Sequence, residues 1–88
     1  MITGKTKSGF AFAIPKRVMN NMELVDLLAD DAEEETMKVS KILRLIMPKE
    51  QRQRFYDHHR EPGGRVPVEK IYEELGEIFL AFKQEKNS

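Results

Sequence analysis

The N-terminal segment alternates apolar side chains with small residues. In "SGFAFAI", Phe10, Phe12 and Ile14 are separated by glycine and alanine, and this period of two predicts a short strand with one buried face. The preceding "MITGKT" can pair with this strand through a turn at residues 7–9. Because two strands alone are barely stable, we expect a β ribbon over residues 1–14 that lies on helices or joins a partner's sheet.

The chain beyond the ribbon is patterned for helices, which are expected over residues 15–85. Asn20 and Glu23 have the spacing of a capping box, and the sequence predicts a helical turn over 15–19 followed by a helix over 21–31. The buried stripe of this helix is expected to consist of Met22, Val25 and Leu28, with Leu24 and Leu27 beside it. The acidic run that follows lacks the spaced oxygens and the glycine of an EF-hand loop, and it is predicted to be a solvated linker.

Two more helices are predicted before residue 60. The segment "TMKVSKILRLIM", residues 36–47, has an apolar face with basic residues opposite. That face comprises Val39, Ile42, Leu43 and Ile46. Pro48 suits the first position of the next helix, because no amide donor is needed there. Phe55 is the main apolar residue of this third helix.

The last helix has the strongest periodicity in the chain. In "PVEKIYEELGEIFLAFK", apolar residues recur at i, i+3, i+4 and i+7, which predicts one buried face. This face comprises Val68, Ile71, Tyr72, Leu75, Ile78, Phe79 and Phe82. The other side, expected to face solvent, carries Glu69, Glu73, Glu74 and Glu77. Leu80 lies off the apolar face and is expected to be exposed, and the polar segment 83–88 is expected to fray.

The stretch "YDHHREPGGRVPVE" contains both histidines of the chain and could suggest a metal or phosphate site. His58 and His59 are adjacent, so on a helix they point about 100° apart and cannot share one ion well. The chain has no cysteine and no third histidine to complete a zinc site. We therefore expect neither a metal nor a cofactor here.

The same stretch contains the residues of a turn. Pro62 and Gly63 suit the two central positions of a type II turn, which requires a positive φ at Gly63. Gly64 follows in the same loop, and Pro67 is expected to open the last helix. These four residues, with Leu75 and Phe79 of the core, are the predicted structural positions, and the stretch is interpreted as a joint between two helices.

Composition indicates one domain covering residues 1–88. The 88 residues are 40% hydrophobic and 34% charged, which is typical of a soluble folded domain. No apolar run approaches the roughly 18 residues that span a bilayer, and no signal peptide is recognisable, so a soluble intracellular protein is expected. No serine or threonine lies beside a histidine in a nucleophile motif, and we expect no enzymatic activity.

The net charge of zero conceals a block pattern. Residues 23–35 contain seven acids and no base, whereas residues 1–17 and 38–60 have an excess of bases. Neighbouring blocks that screen one another are the favoured interpretation. The alternative is a surface with two oppositely charged faces for partners.

Several stretches together resemble the small tail-assembly chaperones of long-tailed phages and prophages of Gram-positive bacteria. They are "TKSGFAFAI", "NNMELVDLLAD" with its acidic linker, "ILRLIMPKEQRQRFYDHHREPGGRVPVEKIYEELGEIF" and the final "KNS". The resemblance covers nearly the whole chain, and its most telling parts are "SGFAF", "YDHHR", "GGRVPVEKI" and "KNS". It implies a protein of the host bacterial cytoplasm that is absent from the mature virion. Such a protein binds the tape-measure protein, keeps it soluble and brings tail-tube subunits to it.

This resemblance and the residue pattern together predict a mainly α fold, a small domain of about four helices with a short N-terminal β ribbon. Leu80, together with Phe10 or Phe12, is expected to contribute to tape-measure contact or to self-association, and an open ribbon edge could accept a strand. Neither a nucleic acid nor a membrane is an expected partner.

Two other functions remain open from the sequence. In a small DNA-binding regulator, residues 36–60 would form a basic helix-turn-helix. Pro48 leaves almost no turn there, whereas such units usually have three or four turn residues. The second alternative is a dimeric adaptor protein without affinity for a tape measure.

Overall fold

The computed structural model describes residues 1–87. Within them the chain forms an antiparallel hairpin, one 3-10 turn and four α-helices, and the expected mainly helical fold class is confirmed. The elements are β1 (Ile2–Lys5), β2 (Ala11–Ile14), the 3-10 turn (Lys16–Met19), α1 (Met22–Ala29), α2 (Glu35–Ile46), α3 (Lys49–His59) and α4 (Val68–Asn87). None of the helices in this part of the chain is both long and apolar enough to cross a bilayer.

The hairpin turns on a glycine with a positive φ. The amide of Gly9 donates to the carbonyl of Thr6 at 2.8 Å, and the amide of Thr6 donates to the carbonyl of Phe10 at 2.9 Å. Gly9 has a φ of 95°, the left-handed conformation that glycine adopts most readily. This pattern is typical of a turn followed by a glycine bulge, and it confirms the turn expected at residues 7–9.

The ribbon supplies one side of the core. Phe10, Phe12 and Ile14 are buried, as the alternation predicts, and α2, α3 and α4 cover them. Phe55 of α3 is fully buried, and its ring centroid lies 4.8 Å from that of Phe10. The expected apolar face of α2 is buried in full. The core therefore joins the hairpin to the helices and gives the two strands the support they need.

The outer edge of β2 is covered at one residue by a side chain of α3. The carboxamide of Gln51 accepts from the amide of Ala13 at 2.9 Å and donates to the carbonyl of Ala13 at 3.0 Å. The two bonds satisfy backbone groups that would otherwise face an incoming strand. Thr3 and Lys5 of β1 are exposed, as is Ala11 of β2, so Gln51 protects the β2 edge at Ala13 alone.

The acidic linker between α1 and α2 has capping roles that its composition does not indicate. A carboxylate oxygen of Glu34 accepts from the amide of Met37 at 3.0 Å and caps α2. Hydrogen bonds from the backbone amides of Thr36 and Met37 hold the pKa of Glu34 below its ordinary value. At the start of α1, the side chain of Asn21 accepts from the amide of Glu23, so the cap lies one residue after the predicted Asn20.

The predicted buried stripe of α1 is wrong for three of its residues. Met22, Val25 and Leu28 are 67%, 47% and 47% exposed. Leu24, which was expected beside the stripe, is buried, and Leu27 is partly buried. The helix has only eight residues, and its apolar side chains extend around most of its circumference. Periodicity alone could not indicate which side α2 would cover.

The loop between α3 and α4 repeats the geometry of the hairpin turn. The amide of Gly64 donates to the carbonyl of Glu61 at 2.8 Å, and the amide of Glu61 donates to the carbonyl of Arg65 at 2.8 Å. The positive φ of 99° belongs to Gly64 and not to Gly63, so the predicted type II turn is wrong. Pro62 does occupy the second position of the turn. The glycine with the positive φ is the last residue of the turn, Gly64, and not its third residue, Gly63.

Helix α4 follows Pro67, which is itself buried, and begins at Val68. Its expected core face is confirmed for Ile71, Leu75 and Ile78, whereas Phe79 and Phe82 are only partly buried. Val68 and Tyr72 lie at the surface, against prediction. The helix continues to Asn87, so the segment expected to fray is helical that far, and Ser88 lies outside the described residues.

Candidate functional site

A surface groove runs between α2 and α4. It consists of two adjoining depressions of about 420 and 300 Å³, which share Glu35, Val39 and Tyr72. The first is also lined by Thr36, Val68, Glu69 and Glu73. The second is also lined by Leu28, Lys38, Ile42, Leu75, Gly76 and Phe79. We refer to the two depressions together as the α2–α4 groove.

The groove has an apolar floor and raised apolar walls. Val39, Ile42 and Leu75 are buried and form the floor. Tyr72 of α4 is 54% exposed and Leu28 of α1 is 47% exposed, so both offer apolar surface to an incoming group. Binding sites typically combine concave shape with such a lining, and this surface is suited to receive apolar side chains.

Gly76 lies in the groove, in the interior of α4. A Cβ atom at this position would meet no atom within 4 Å, and Gly76 has no positive φ. Glycine inside a helix is less stable than alanine by about 0.5–1 kcal/mol. Neither packing nor backbone conformation within the described residues requires glycine here, and its effect is to leave the backbone of α4 accessible.

The rim of the groove is acidic. Glu35, Glu69 and Glu73 line it and are exposed, against a single base, Lys38. None of the three carboxylates forms a salt bridge with another described residue. The acidic block of residues 23–35 ends at this rim. Uncompensated carboxylates beside an apolar floor create a negative potential that favours a basic partner.

Of the three residues predicted to contact partners, only Leu80 is available. It is 52% exposed and lies about one helical turn beyond Gly76, next to the groove. Phe10 and Phe12 are core residues, so their predicted role in partner contact is wrong. The alternation that identified their strand also placed them on its buried face.

Sequence reasoning missed Leu28, Tyr72 and Gly76 as groove residues. A signal for Gly76 was present, since a lone glycine inside a strongly periodic helix costs stability relative to alanine. No comparable signal existed for Leu28 and Tyr72, because their exposure depends on how α1, α2 and α4 meet.

The histidine segment forms a second cluster, which we call the hairpin clasp: His58, His59, Glu74 and Ser8. His59 Nε2 lies 2.9 Å from Glu74 Oε1, and their side chains are only 7% and 6% exposed. Glu74 Oε2 accepts from the amide of Ser8 at 3.1 Å. His58 Nε2 lies 3.1 Å from both the carbonyl oxygen and the hydroxyl of Ser8. The clasp fastens the hairpin turn to α3 and α4.

Glu74 is the electrostatic centre of the clasp. Burial acts to raise the pKa of its carboxyl, but hydrogen bonds from Ser8, Thr6 and His59 outweigh burial and lower the pKa below its ordinary value. The carboxylate is therefore the stable form inside the fold. The prediction that Glu74 faces solvent with its neighbouring glutamates is wrong, because it is drawn in by these donors.

The clasp superficially resembles a nucleophile and its base, since Ser8 Oγ lies 3.1 Å from His58 Nε2. In a catalytic triad a carboxylate orients the histidine that contacts the nucleophile. Here the carboxylate contacts the other histidine, His59, and among the described residues no carboxylate bonds to His58. Within the same residues no group of three or more potential ligands could hold a metal ion. The bonds of the clasp join the hairpin turn to α3 and α4.

Comparison with protein-family models, with curated proteins and with solved structures found no match for this chain.

Proposed function

We propose that the protein is a tail-assembly chaperone of a long-tailed phage or prophage of Gram-positive bacteria. It binds the tape-measure protein in the host cytoplasm, keeps that protein soluble, helps to recruit tail-tube subunits and is absent from the mature virion. The observation that carries the proposal is the exposed apolar surface around the α2–α4 groove. Leu28, Tyr72 and Leu80 border this surface, and Met22 and Val25 extend it along α1.

Exposed apolar side chains forgo the favourable free energy of burial, and a binding role explains why they remain exposed. Full burial of one large apolar side chain is favourable by about 1.5–3 kcal/mol, and clustered exposure in a small soluble domain marks an interaction site. A long helical protein that awaits its surrounding tube exposes apolar stripes. Small domains that bind along it by helix-in-groove contact would cover these stripes repeatedly. Each contact must be weak enough for tube subunits to displace.

The residues that carry the sequence resemblance hold the fold together, and this supports the proposal. "SGFAF" contributes Phe10 and Phe12 to the core, and "YDHHR" contributes both histidines of the hairpin clasp. "GGRVPVEKI" contains the bulge glycine Gly64 and the start of α4. A family held together by these positions would keep the groove while its lining adapts to each tape-measure protein.

A DNA-binding role is less favoured. Only Met47 and Pro48 separate α2 from α3, which is shorter than the three- or four-residue turn of a helix-turn-helix. The acidic rim of the groove would also repel phosphates, whose neutralisation by bases sustains binding to nucleic acids. Apolar surface with carboxylates at its rim fits a protein partner better.

Co-expression tests the proposal directly. The partner is the long helical protein whose gene we expect beside that of this chain, with a tail-tube gene on the other side. The soluble fraction of the long protein is measured with and without the chaperone, and the two are tested for co-purification. We expect the long protein to be largely insoluble alone and to become soluble in a complex. An equal soluble fraction in both cases would refute the chaperone function.

A further inference from the structure

We propose that the α2–α4 groove binds a single helix of another protein, with an apolar stripe on the groove floor and lysine or arginine residues flanking that stripe. The chemistry of the partner helix is inferred from the groove alone. Only the identification of the natural helix as part of the tape-measure protein rests on the proposed function. Three features of the groove fit a basic amphipathic helix: its length, the accessible backbone at Gly76 and the charge of its rim.

The length of the groove matches a short helical segment. Its lining on α4 extends from Val68 to Phe79, which corresponds to about 16 Å at 1.5 Å per residue, or about three turns of helix. A helix of this length presents three or four apolar side chains from one face. The two depressions, joined at Tyr72, offer separate places for successive side chains of such a stripe.

Gly76 determines how closely the partner approaches. The space beside its Cα is open, and Tyr72 and Leu80 lie about one turn before and after it on the same helix. A side chain of the partner can therefore contact the backbone of α4 between these two walls. Glycine is the residue that permits such close approach, and this use accounts for a helix-interior glycine that the isolated fold does not need.

The rim selects the sign of the partner's charge. Glu35 lies on the α2 side of the groove, and Glu69 and Glu73 lie on the α4 side. A helix seated between them would have Glu69 and Glu73 along its α4 flank, and Glu35 beside Lys38 along its α2 flank. Opposite charges at these flanks increase the association rate and exclude acidic competitors. Lys38 is the only base in the lining.

Within residues 1–84, whose side chains the structure describes, a second copy of this chain does not offer the required helix. Helix α3 carries an excess of bases, but its main apolar residue is Phe55, which is fully buried in its own core. The basic helix α2 likewise turns its apolar face inward. Neither offers an exposed apolar stripe flanked by bases, so the occupant is a helix of a different protein.

Synthetic peptides test the partner chemistry. The probe is a labelled peptide of about 14 residues, roughly four turns, with leucines at i, i+3, i+4 and i+7 and lysines at the flanking positions. One matched peptide has glutamate in place of every lysine, and another has the lysine peptide's composition in scrambled order. Binding is measured by fluorescence anisotropy. We expect the lysine peptide to bind about tenfold or more tightly than either control, a difference of about 1.4 kcal/mol or more.

Variants of the groove locate the binding site. Gly76→Leu fills the open space and should weaken lysine-peptide binding about tenfold or more, while its unfolding midpoint stays equal or rises. Gln53→Leu, which adds the same side chain on the surface of α3, is the matched control and should bind like the wild type. The double variant Glu69→Lys, Glu73→Lys should reverse the preference towards the glutamate peptide, whereas Glu50→Lys on α3 should not.

Several outcomes would overturn the inference. The scrambled peptide could bind as tightly as the lysine peptide, or the lysine peptide could bind Gly76→Leu as tightly as the wild type. The Glu69→Lys, Glu73→Lys variant could still prefer the lysine peptide. The wild type could also form a homodimer that the Gly76→Leu substitution dissociates.

The proposed function can fail independently of the groove inference. If the lysine peptide binds the groove as expected but the long protein stays insoluble, the groove inference holds and the chaperone role is wrong. If the groove variants keep the long protein soluble and bind peptide normally, the chaperone role holds and the groove inference is wrong.

Discussion

Glu74 Oε1 lies 2.9 Å from His59 Nε2, and the two side chains are almost completely enclosed between α3 and α4. The other carboxylate oxygen of Glu74 accepts from the amide of Ser8 in the hairpin turn. One carboxylate thus ties together three parts of the chain that are distant in sequence. A buried carboxylate with several donors is held firmly, whereas removal of its charge leaves those donors poorly paired.

We expect Glu74→Gln to destabilise the domain by about 1–3 kcal/mol at pH 7, because hydrogen bonds to a charged group contribute about that much. Denaturant unfolding followed by circular dichroism measures the change. Glu73→Gln is the matched control, since Glu73 is an exposed neighbour on the same helix, and it should be nearly neutral. A Glu74→Gln variant as stable as the control would show that the clasp does not hold the hairpin.

The same pair of variants has a defined pH dependence. The folded-state pKa of Glu74 is below its ordinary value of 4.5, so its contribution to stability is fully present above that value and is lost as pH falls through the lower folded-state pKa. The stability difference between wild type and Glu74→Gln should therefore be constant from neutral pH to about 5 and shrink in stronger acid. A difference that grows on acidification would contradict this assignment.

The loop glycines should differ in their tolerance of a side chain. Gly64 has a φ of 99°, whereas Gly63 has no positive φ, and neither has an atom within 4 Å of an added Cβ. Gly64→Ala should therefore cost about 1 kcal/mol through backbone strain alone, and Gly63→Ala should be neutral or slightly stabilising. Thermal unfolding of both variants provides the measurement. Equal effects at the two positions would mean that the bulge glycine is misassigned.

These loop residues illustrate how far the sequence could predict the fold. The turn was predicted from Pro62 and the glycine pair, but two adjacent glycines fit two different turn geometries equally well. The choice depends on the bond from the amide of Glu61 to the carbonyl of Arg65, which the residue types alone do not specify. Local sequence thus predicted that a turn occurs but not its type.

The candidate site was less predictable than the fold for the same reason. Helix α2 has a single apolar face, and that face was predicted correctly, whereas α1 has apolar residues around most of its circumference and Leu24 could not be distinguished from Leu28 as the buried residue. Glu74 is adjacent to exposed Glu73 in the sequence but is buried by donors from the hairpin. Binding surfaces and buried charges arise from contacts between helices and strands, and the sequence periodicity of a single element does not predict these contacts.

Two other glycines should respond in opposite directions to alanine. A Cβ at Gly4 would lie 2.8 Å from Cζ of Phe12, the residue opposite it in the hairpin, and that ring is buried. We expect Gly4→Ala to destabilise the domain by about 1–3 kcal/mol through overpacking. Gly76→Ala should instead stabilise it by about 0.5–1 kcal/mol, because only the helix preference changes. Chemical unfolding of the two variants under the same conditions checks both signs, and a destabilised Gly76→Ala would mean that α4 is covered at this point in the folded chain.

Two leucines of α4 should separate folding from binding. Leu75 is buried on the groove floor and Leu80 is half exposed beside the groove. Leu75→Ala should cost about 2–5 kcal/mol as a core truncation, a large part of the stability of so small a domain. Leu80→Asp should change the unfolding free energy by no more than about 0.5 kcal/mol, as is usual for surface positions. Because the aspartate replaces apolar surface beside the groove with a charge that would have to be desolvated on binding, Leu80→Asp should nevertheless reduce the soluble fraction of the co-expressed long helical protein. A Leu80→Asp variant that keeps both its fold and its partner's solubility would remove Leu80 from the binding surface, and one that unfolds would place it in the core.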